Sequence, residues 1–477
     1  MRSRRAAYLA EVPERRAKPK PRRAVRHGTS VAPLLVVCGP ALIPLGVAVS
    51  VGGGNRSIPL TFAHIAIASG GVLGMLTERI RLDSWRRWVL AYVALFAAFL
   101  PLSALGAVWG WVSTAMGALG AFHLLSLAPD RLPALRLVLA RAGAVMALGT
   151  SLSLVAFGHQ AQADARGLAQ ILENGYDLPW GRSNYLAALI ILGLAMALVL
   201  LQSDALADRW LLIGAGAASI PGLLLTGSRT QLVTLAAALC AVYFLGLGTR
   251  PGGWGRIFVP VALAGMLQRA SIYIADTFET HKFGSQSSFH TLEVRFEVWR
   301  RAIDGILHNP FGHGIRLIKL TDGRSLLVHD NVLQILHSFG IVGFGIVVAI
   351  VVPVVRSVVS VARSADARTT RRRYWLELVG LGTIALSGIA ENTLLTPVYD
   401  MVLFVYLALV LGGARRARSD SGPEIVGARE SSGRSPARAR RAAEGDARDG
   451  RRSRRVPSRA QRSSVADSAR RRPALSQ

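Results

Sequence analysis

The chain has 477 residues, of which 51% are hydrophobic and 18% are charged, and its formal net charge is +28. The charge is concentrated in a few arginine-rich segments separated by long uncharged stretches, which excludes an ordinary soluble domain. Most of the excess positive charge sits beside apolar stretches, so it indicates membrane topology rather than nucleic-acid binding.

Apolar runs of about 20 residues are typical of membrane helices, because the hydrocarbon core is roughly 30 Å thick. By this criterion the sequence predicts about twelve spans in one membrane domain, 31–414. Their approximate limits are 31–51, 58–77, 87–104, 105–127, 132–157, 184–202, 208–226, 230–248, 256–274, 332–354, 374–392 and 398–414. The predicted fold class is therefore an all-α integral membrane protein.

The arginine-rich segments predict the orientation of these spans, since Lys and Arg concentrate in cytoplasmic loops. With twelve crossings and both termini in the cytoplasm, every such segment falls inside. The segments are 1–30, 78–87, 249–256, 356–373 and 415–477. Two sizeable loops then lie outside the cytoplasm, a shorter one at 158–183 and a large one at 275–331.

The two ends are predicted to be basic cytoplasmic tails. Segment 1–30 does not resemble a cleavable signal, because its basic region is long and no clear small-residue cleavage site follows Val31. Segment 415–477 is rich in Arg, Ser, Ala and Gly, which predicts a disordered tail attracted to anionic lipid headgroups. Cys38 and Cys240 fall within predicted spans, which indicates packing rather than a disulfide.

The large outer loop carries a pattern of its own. Apolar residues recur at helical spacing and predict a helix that lies on the outer membrane surface or against the bundle. They are Phe296, Trp299, Ile303, Ile306 and Leu307. Asn309-Pro310 ends this helix, and the glycines of P-F-G-H-G permit a tight turn. Glu297 and Arg301 are spaced for an i,i+4 ion pair.

Three residues stand out as candidates for chemistry. Arg229, in T-G-S-R-T-Q-L, opens a predicted span, where an arginine either snorkels to the headgroups or binds an anion with its guanidinium fork. Arg295 precedes Trp299 by one helical turn and is either an ordinary exposed arginine or a second anion ligand. His329, in V-H-D-N, precedes the tenth span, where a neutral imidazole can accept a proton.

Other polar residues admit structural readings. Asp330 or Asn331 would make a good N-cap for the following helix, or could orient His329 or bind a hydroxyl. The loop histidines 281, 290, 308 and 313 match no tetrahedral ligand pattern, so no metal site is predicted. Ionisable residues within predicted spans are functional candidates or structural ion pairs. These are Arg141, Arg269, Glu377 and Glu391, the last a possible partner of Arg229 or Arg295.

Taken in order, these pieces resemble the O-antigen ligase and polymerase superfamily of bacterial membrane glycosyltransferases. The resemblance covers roughly 180–412. It consists of Ser-Arg opening a helix, Arg-x-x-x-Trp, Pro-x-Gly-x-Gly, and a His-Asn signature followed by L-Q-I-L and Gly-x-x-Gly. The segment S-N-Y-L-A-A-L at 183–189 is similar to an Asn-bearing helix start of that family. One departure is Asp330, inserted between the usually adjacent His and Asn.

The resemblance implies a glycosyltransferase fold of the C type with no metal and no other cofactor. The donor would be a glycan on a polyprenyl diphosphate, and the acceptor a hydroxyl of a glycan, lipid or protein. Arg229 and Arg295 would be the two essential arginines and His329 the essential histidine. Asn331, Asn184 and Glu391 are further candidate substrate-binding residues.

The implied chemistry follows from the donor. Negative charge grows on the departing diphosphate, and each fixed donor aimed at it lowers the barrier by roughly 2.7–4 kcal/mol, as metal ions otherwise do. His329 would take the proton of the acceptor hydroxyl, which contributes about 10²–10⁴-fold. Direct attack predicts inversion at the anomeric carbon. The enzyme would work at the extracytoplasmic face of the bacterial inner membrane, and ligation, polymerisation and protein O-glycosylation would share this chemistry.

The alternative class is a polytopic transporter or a flippase of lipid-linked oligosaccharide, since about twelve spans with both ends inside also suit a carrier. Carriers commonly show two similar halves joined by a long central cytoplasmic loop. Here the sixth and seventh spans are joined by a short S-D-A-L-A-D-R, and the long loop is predicted outside. The sequence therefore favours the enzyme.

Overall fold

The structure is a computed structural model that describes most of the predicted membrane domain. The described ranges are 31–50, 57–77, 82–104, 106–160, 176–178, 183–246, 289–321, 325–328, 330–365, 367–391 and 393–420. The predicted tail 1–30, residues 421–477 of the predicted tail 415–477, the predicted ninth span 256–274 and the first part of the large loop lie outside the described residues. Residues 415–420 of that tail are helical, since the last helix continues to Asp420.

The described chain is mostly helical. Its α-helices are α1 (Val31–Cys38), α2 (Phe62–Thr77), α3 (Ser84–Phe99), α4 (Gly106–Ser126), α5 (Leu132–Phe157), α6 (Ser183–Ala197), α7 (Leu206–Leu225), α8 (Arg229–Phe244), α9 (Phe289–His308), α10 (Asn331–Ser364), α11 (Arg368–Ala390) and α12 (Pro397–Asp420). Three 3-10 segments extend them, at Gly39–Leu45, Leu100–Leu102 and Leu198–Gln202.

Three β-hairpins, with strands of two to four residues, join some of these helices among the described residues. The antiparallel pairs are β1 (Val47–Ser50) with β2 (Ser57–Leu60), β3 (His159–Gln160) with β4 (Tyr176–Asp177), and β5 (Ile318–Lys319) with β6 (Ser325–Leu326). In the third pair Ile318 lies opposite Leu326. Along the chain this hairpin lies between α9 and α10.

Six described helices are long and apolar enough to cross a membrane. They span Ser84–Leu102, Ala107–Ser126, Leu132–Phe157, Ser183–Gln202, Asn331–Ser364 and Pro397–Ser419, with shorter apolar helices at Val31–Leu45, Phe62–Thr77 and Thr230–Phe244. The all-α, multi-pass membrane class is confirmed, whereas the count of twelve stays a prediction. The tenth predicted span, 332–354, is part of a helix that continues to Ser364.

α12 and α6 form the centre of the bundle. α6 and the part of α12 before Arg415 are mostly apolar and almost wholly buried, as expected of helices surrounded by other helices. α12 packs most extensively against α4, where a Cβ on Gly117 would lie 2.6 Å from the Cα of Met401. Such close backbone approach is how helices associate in lipid, and it accounts for the abundance of glycine in the spans.

Candidate active site

α9, the helix of Arg-x-x-x-Trp, rests on the bundle through small residues. Val298 and Ala302 are fully buried in a small core with Ile318, Leu320 and Val328. The predicted apolar stripe faces the other way: Phe296 is 60% exposed and Leu307 is 75% exposed. The helix therefore lies against the bundle, one of the two placements that the sequence allowed, and much of its apolar stripe faces away from the protein while the hairpin β5–β6 covers the side with Val298 and Ala302.

The polar side of α9 is tied to the hairpin region. The Glu297 carboxylate accepts hydrogen bonds from Thr321, through its backbone N–H at 3.0 Å and its hydroxyl at 2.9 Å. Arg301 lies 2.9 Å from the same oxygen, which confirms the predicted i,i+4 pair. The Thr321 hydrogen bonds, with a smaller contribution from the Arg301 charge, lower the pKa of Glu297.

Arg295 reaches the end of a different helix. Its Nη2 lies 3.2 Å from Oε1 of Glu391, which is the C-cap residue of α11. The Arg295 side chain is 21% exposed and that of Glu391 is 5% exposed. Arg295 is one of the two partners that the sequence allowed for Glu391, and the side chain of the other, Arg229, lies outside the described part. The carboxylate orients the guanidinium while leaving part of it accessible.

Asn331 fastens the loop between α11 and α12. Its Oδ1 accepts hydrogen bonds from the backbone N–H groups of Thr393 and Leu394, both at 2.9 Å. Its Nδ2 donates to the Thr393 hydroxyl at 2.8 Å. A Cβ on Gly388 would lie 2.1 Å from that Nδ2, so the glycine makes room for the amide. The structure thus gives Asn331 a positioning role beside Glu391, and its predicted contact with substrate stays a prediction.

Asp330 is the N-cap of α10, one of the roles expected for it. Its carboxylate accepts a hydrogen bond from the Leu333 N–H at 2.8 Å. Burial raises the pKa of Asp330, and the N–H groups of Leu333 and Val332 act in the opposite direction. His329, which precedes it in the chain, lies outside the described residues, so its predicted role as a base stays a prediction.

The Pro-x-Gly-x-Gly turn, residues 310–314, forms backbone hydrogen bonds with α10 where that helix is interrupted. Gly340 has φ 65° and ψ −165°, which interrupts the helix, and backbone groups of the turn replace the lost intrahelical partners. His313 N donates to His337 O at 2.9 Å, and Gly314 N donates to Ser338 O at 2.9 Å. Ile341 N donates to the carbonyl of Pro310, also at 2.9 Å. We call this set of backbone hydrogen bonds the splice.

The splice requires glycine on both sides. A Cβ on Gly340 would lie 2.2 Å from the carbonyl oxygen of Pro310, and one on Gly312, where φ is 102°, would lie 2.6 Å from that of Ser338. The turn continues into Ile315, whose N–H bonds the Ser103 hydroxyl at 2.9 Å and whose carbonyl accepts Ala104 N at 3.0 Å. α9 is therefore held in register with both α10 and the end of α3.

Arg229 begins α8, with Ser228 as its N-cap residue, and its side chain is outside the described part. The neighbouring polar groups are deeply buried: Ser228 is 3% exposed and Gln231 is 0% exposed. Within the described residues, neither the Ser228 hydroxyl nor either amide atom of Gln231 has a hydrogen-bond partner. Sequence reasoning missed Gln231, although a glutamine one turn into an apolar helix was the available signal.

The remaining predicted positions are distributed as follows. Asn184 lies in the first turn of α6, half-buried, and α6 packs against α8 and α11. Among the described residues no group of three or more His, Cys, Asp or Glu side chains could hold a metal ion. His313, one of the histidines considered as a ligand, instead bonds the Gly305 carbonyl at 3.0 Å and stacks on His337.

Two of the ionisable residues within predicted spans form structural ion pairs. Arg141 contacts Asp208 through Nε at 2.7 Å and Nη2 at 3.0 Å. Glu377 accepts a hydrogen bond from Arg136 Nε at 2.6 Å. Arg269 lies outside the described residues. The structural reading therefore holds for Arg141 and Glu377.

The fold defines a multi-pass α-helical membrane protein in which α9 presents a partly exposed arginine to the end of the bundle. Residues 214–348 match the family model described as O-antigen ligase. The match confirms the resemblance over the segment that holds Arg229, Arg295 and the splice, and it indicates a membrane protein of polysaccharide biosynthesis. Asn184 and Glu391 lie outside the matched segment. No curated protein matches the chain.

Proposed function

We propose that this protein is a membrane glycosyltransferase that transfers or polymerises a glycan from a polyprenyl-diphosphate donor onto an acceptor hydroxyl. The observation that carries the proposal is the Arg295–Glu391 contact at the end of the bundle. It lies in a chain whose residues 214–348 match the O-antigen ligase family. An arginine oriented by a carboxylate, yet partly accessible, is suited to the diphosphate of such a donor.

The proposed reaction is a direct displacement. The acceptor oxygen attacks the anomeric carbon, the bond from that carbon to the diphosphate oxygen breaks, and polyprenyl diphosphate leaves with the electron pair. Arg295, together with Arg229, stabilises the charge that develops on the leaving oxygen. His329 takes the acceptor proton, and the product has inverted anomeric configuration.

The scaffold serves this reaction by fixing distances. The splice and the Ile315 contacts hold α9 in place, while Asn331 holds the loop that follows Glu391. Preorganised groups need not move as charge develops, which is where most electrostatic catalysis originates. We assign Glu391 to orienting Arg295 and Asn331 to positioning Glu391, with Asn184 as a further substrate contact.

The proposed orientation places this site outside the cytoplasm and both termini inside. Contacts at the opposite end of the bundle support it. Arg415 pairs with Asp83, Arg416 bonds the Pro129 carbonyl, and Arg418 bonds the Arg356 carbonyl at 3.1 Å. Arginines from loops predicted to be cytoplasmic thus share one end, as the positive-inside rule requires.

The test is an assay of the purified protein with a polyprenyl-diphosphate glycan and an acceptor glycan. We expect transfer or chain extension by the native protein and a loss of about 10²–10⁴-fold in the His329→Ala variant. His308→Ala is the control, because His308 is an exposed residue at the end of α9 and should leave the rate unchanged. Full activity of His329→Ala would remove the proposed base, and passage of donor across vesicles without product would favour the flippase.

A further inference from the structure

A basic cavity lies at the end of the bundle opposite Glu391. It has a volume of about 170 Å³ and is lined by residues of α5, α11 and α12, among them Arg136, Thr370, Arg373, Tyr374, Gly413 and Arg416. Arg373 precedes Glu391 by most of the length of α11, so the two are roughly 27 Å apart along the helix. The cavity is therefore separate from the proposed donor site.

The walls of the cavity are fixed by contacts among its own residues. The Tyr374 hydroxyl donates to the Gly413 carbonyl at 2.8 Å, which joins α11 to α12. The Arg136 guanidinium carbon lies 4.8 Å from the centre of the Tyr374 ring, a cation–π contact. A Cβ on Gly413 would lie 3.0 Å from Arg136 Nη1, so the absence of a side chain there keeps the space beside the guanidinium open.

The lining of the cavity is basic. Three of its lining residues are arginines and none is acidic. Glu377 lies behind the wall and is committed to Arg136, and its other oxygen accepts the Tyr406 hydroxyl at 3.0 Å. Among the described residues, Arg373 makes no direct hydrogen bond or ion pair, and the Glu377 charge that acts on it is shared with Arg136. A half-buried guanidinium whose carboxylate is already bound to a second arginine favours an anion from outside the chain.

The start of α11 adds hydrogen-bond donors. Its N-cap residue is Ala367, which makes no side-chain cap, so the N–H groups of the first turn lack that partner. Thr370, in this first turn, lines the cavity beside Arg373. Helix N-termini of this kind, together with arginines, form sites for phosphate. The volume is several times the roughly 30 Å³ share of a water molecule, which leaves room for a phosphate group.

We propose that this cavity binds a phosphate group, and that the headgroup of an anionic membrane lipid supplies it. The surrounding end of the bundle carries further arginines, Arg356, Arg363, Arg371 and Arg418, which attract anionic lipid to that surface. A lipid phosphodiester seated among α5, α11 and α12 would neutralise Arg373 and tie three helices together.

The test measures thermal unfolding of the purified full-length protein in detergent, with phosphatidylglycerol, phosphatidylcholine or inorganic phosphate added. We expect phosphatidylglycerol to raise the unfolding temperature and phosphatidylcholine to leave it unchanged. In Arg373→Gln the half-maximal lipid concentration should rise about tenfold, the loss typical of one charge-assisted hydrogen bond. Arg373→Lys keeps the charge but not the guanidinium fork, so its half-maximal lipid concentration should lie between those of the native protein and Arg373→Gln.

Arg372→Gln is the matched control, because it removes the same charge from the next residue of α11, which does not line the cavity. Its response should equal that of the native protein. Saturable stabilisation by inorganic phosphate alone, lost in Arg373→Gln, would support the phosphate site and name the free anion as its occupant. Equal losses in Arg372→Gln and Arg373→Gln, or no response to either phosphate source, would overturn the proposal. Glycan transfer is not a readout, so the result is independent of the proposed function.

Discussion

α11 carries two glutamates that each pair with an arginine, and the two pairs differ in almost every physical respect. Glu377 and Arg136 have side chains 1% and 6% exposed, and Arg136 Nε donates to Glu377 Oε1 at 2.6 Å. Glu391 and Arg295 have side chains 5% and 21% exposed, and their contact is 3.2 Å. Both side chains of the first pair are buried among the helices, whereas the arginine of the second pair is partly exposed.

The difference lies in what surrounds each guanidinium. Arg136 is enclosed by the Tyr374 ring and by Glu377, whose second oxygen is taken by Tyr406. Arg295 projects from α9, which is held to the bundle by the splice rather than by its own apolar stripe. The closed pair, Arg136–Glu377, joins three helices, and we propose that the open pair, Arg295–Glu391, can exchange its partner for the diphosphate of the donor. On this proposal, burial of the arginine, and not the presence of an ion pair, distinguishes the structural pair from the functional one.

Breaking the closed pair should give the largest effect on stability. In Arg136→Met the Glu377 carboxylate stays buried without its cation, which typically costs about 3–5 kcal/mol. We expect a marked fall in the unfolding midpoint in detergent, measured by circular dichroism. The double variant Arg136→Met/Glu377→Leu should recover most of the loss, because no uncompensated charge remains.

Arg141→Gln is the control for this experiment. Arg141 lies on the same helix and also pairs with a carboxylate, that of Asp208, but its side chain is 45% exposed. Removing it should change the free energy of unfolding by about 0–1 kcal/mol. A loss in Arg141→Gln as large as that in Arg136→Met would show that exposure does not divide the pairs.

Breaking the open pair should instead affect catalysis. Arg295→Gln removes the guanidinium from the proposed leaving-group site, and the turnover rate should fall about 10²–10³-fold. The free energy of unfolding should change by no more than about 1 kcal/mol, because the arginine is partly solvated. Steady-state glycan transfer and thermal unfolding of the same preparation measure both quantities.

Arg300→Gln, a change at an exposed residue of α9, should leave both measurements unchanged. Glu391→Gln should reduce turnover less than Arg295→Gln does, because the amide can still accept a hydrogen bond from Arg295. If Arg295→Gln unfolds the protein but leaves the rate per folded molecule intact, Arg295 belongs with Arg136 among the structural arginines.

The splice allows the open pair to be disturbed without changing either partner. Gly340→Ala places a Cβ at φ 65° against the Pro310 carbonyl, and left-handed backbone of this kind costs about 1–3 kcal/mol for a residue other than glycine. We expect lower stability and lower transfer activity, since α9 and Arg295 shift relative to Glu391. Unfolding and transfer assays report the two effects.

Gly345→Ala is the matched control on the same helix, because a Cβ there meets nothing within 4 Å among the described residues. It should leave stability and activity unchanged. Reduced stability in Gly340→Ala with an unchanged rate per folded molecule would mean that the splice does not position Arg295.

The contrast between the pairs also shows what the sequence could predict. Runs of apolar residues predicted most described helices, because hydrophobic length is a local property. The cap at Asp330 was equally local, since its partner is three residues away. The pairing of Arg136 with Glu377 depends on how α5 meets α11, and residues 241 positions apart leave no local signal. The twelve-span count and His329 remain predictions.

Only one of the two parts of the splice, the tight turn, could be predicted from the sequence. P-F-G-H-G indicated a tight turn, but nothing in that segment indicated that its backbone would enter a break at Gly340. The stripe on α9 left two placements open for a related reason: helical periodicity finds an apolar face without saying whether protein or lipid covers it. Small residues such as Ala302 carried the actual packing.

Two buried glutamines test whether the end of the bundle that holds the open pair also contains a substrate-binding amide. Gln231 on α8 and Gln334 on α10 are both 0% exposed. Gln334 accepts Val328 N at 3.1 Å and donates to the Ser338 hydroxyl at 2.7 Å, so its amide is satisfied. Neither amide atom of Gln231 has a partner among the described residues. An unsatisfied buried amide costs about 1–3 kcal/mol, which a substrate group could recover beside Arg229.

Leucine in place of each glutamine should therefore have opposite effects on stability. Gln334→Leu strands the Val328 N–H and should destabilise the protein by about 1–3 kcal/mol. Gln231→Leu removes an unpaired amide, so the unfolding temperature should stay the same or rise, while the KM for the lipid-linked donor increases. Such a gain in stability with a loss of donor affinity identifies a group kept for binding. A loss of stability in Gln231→Leu, equal to that in Gln334→Leu, would mean that Gln231 supports the fold and does not bind the donor.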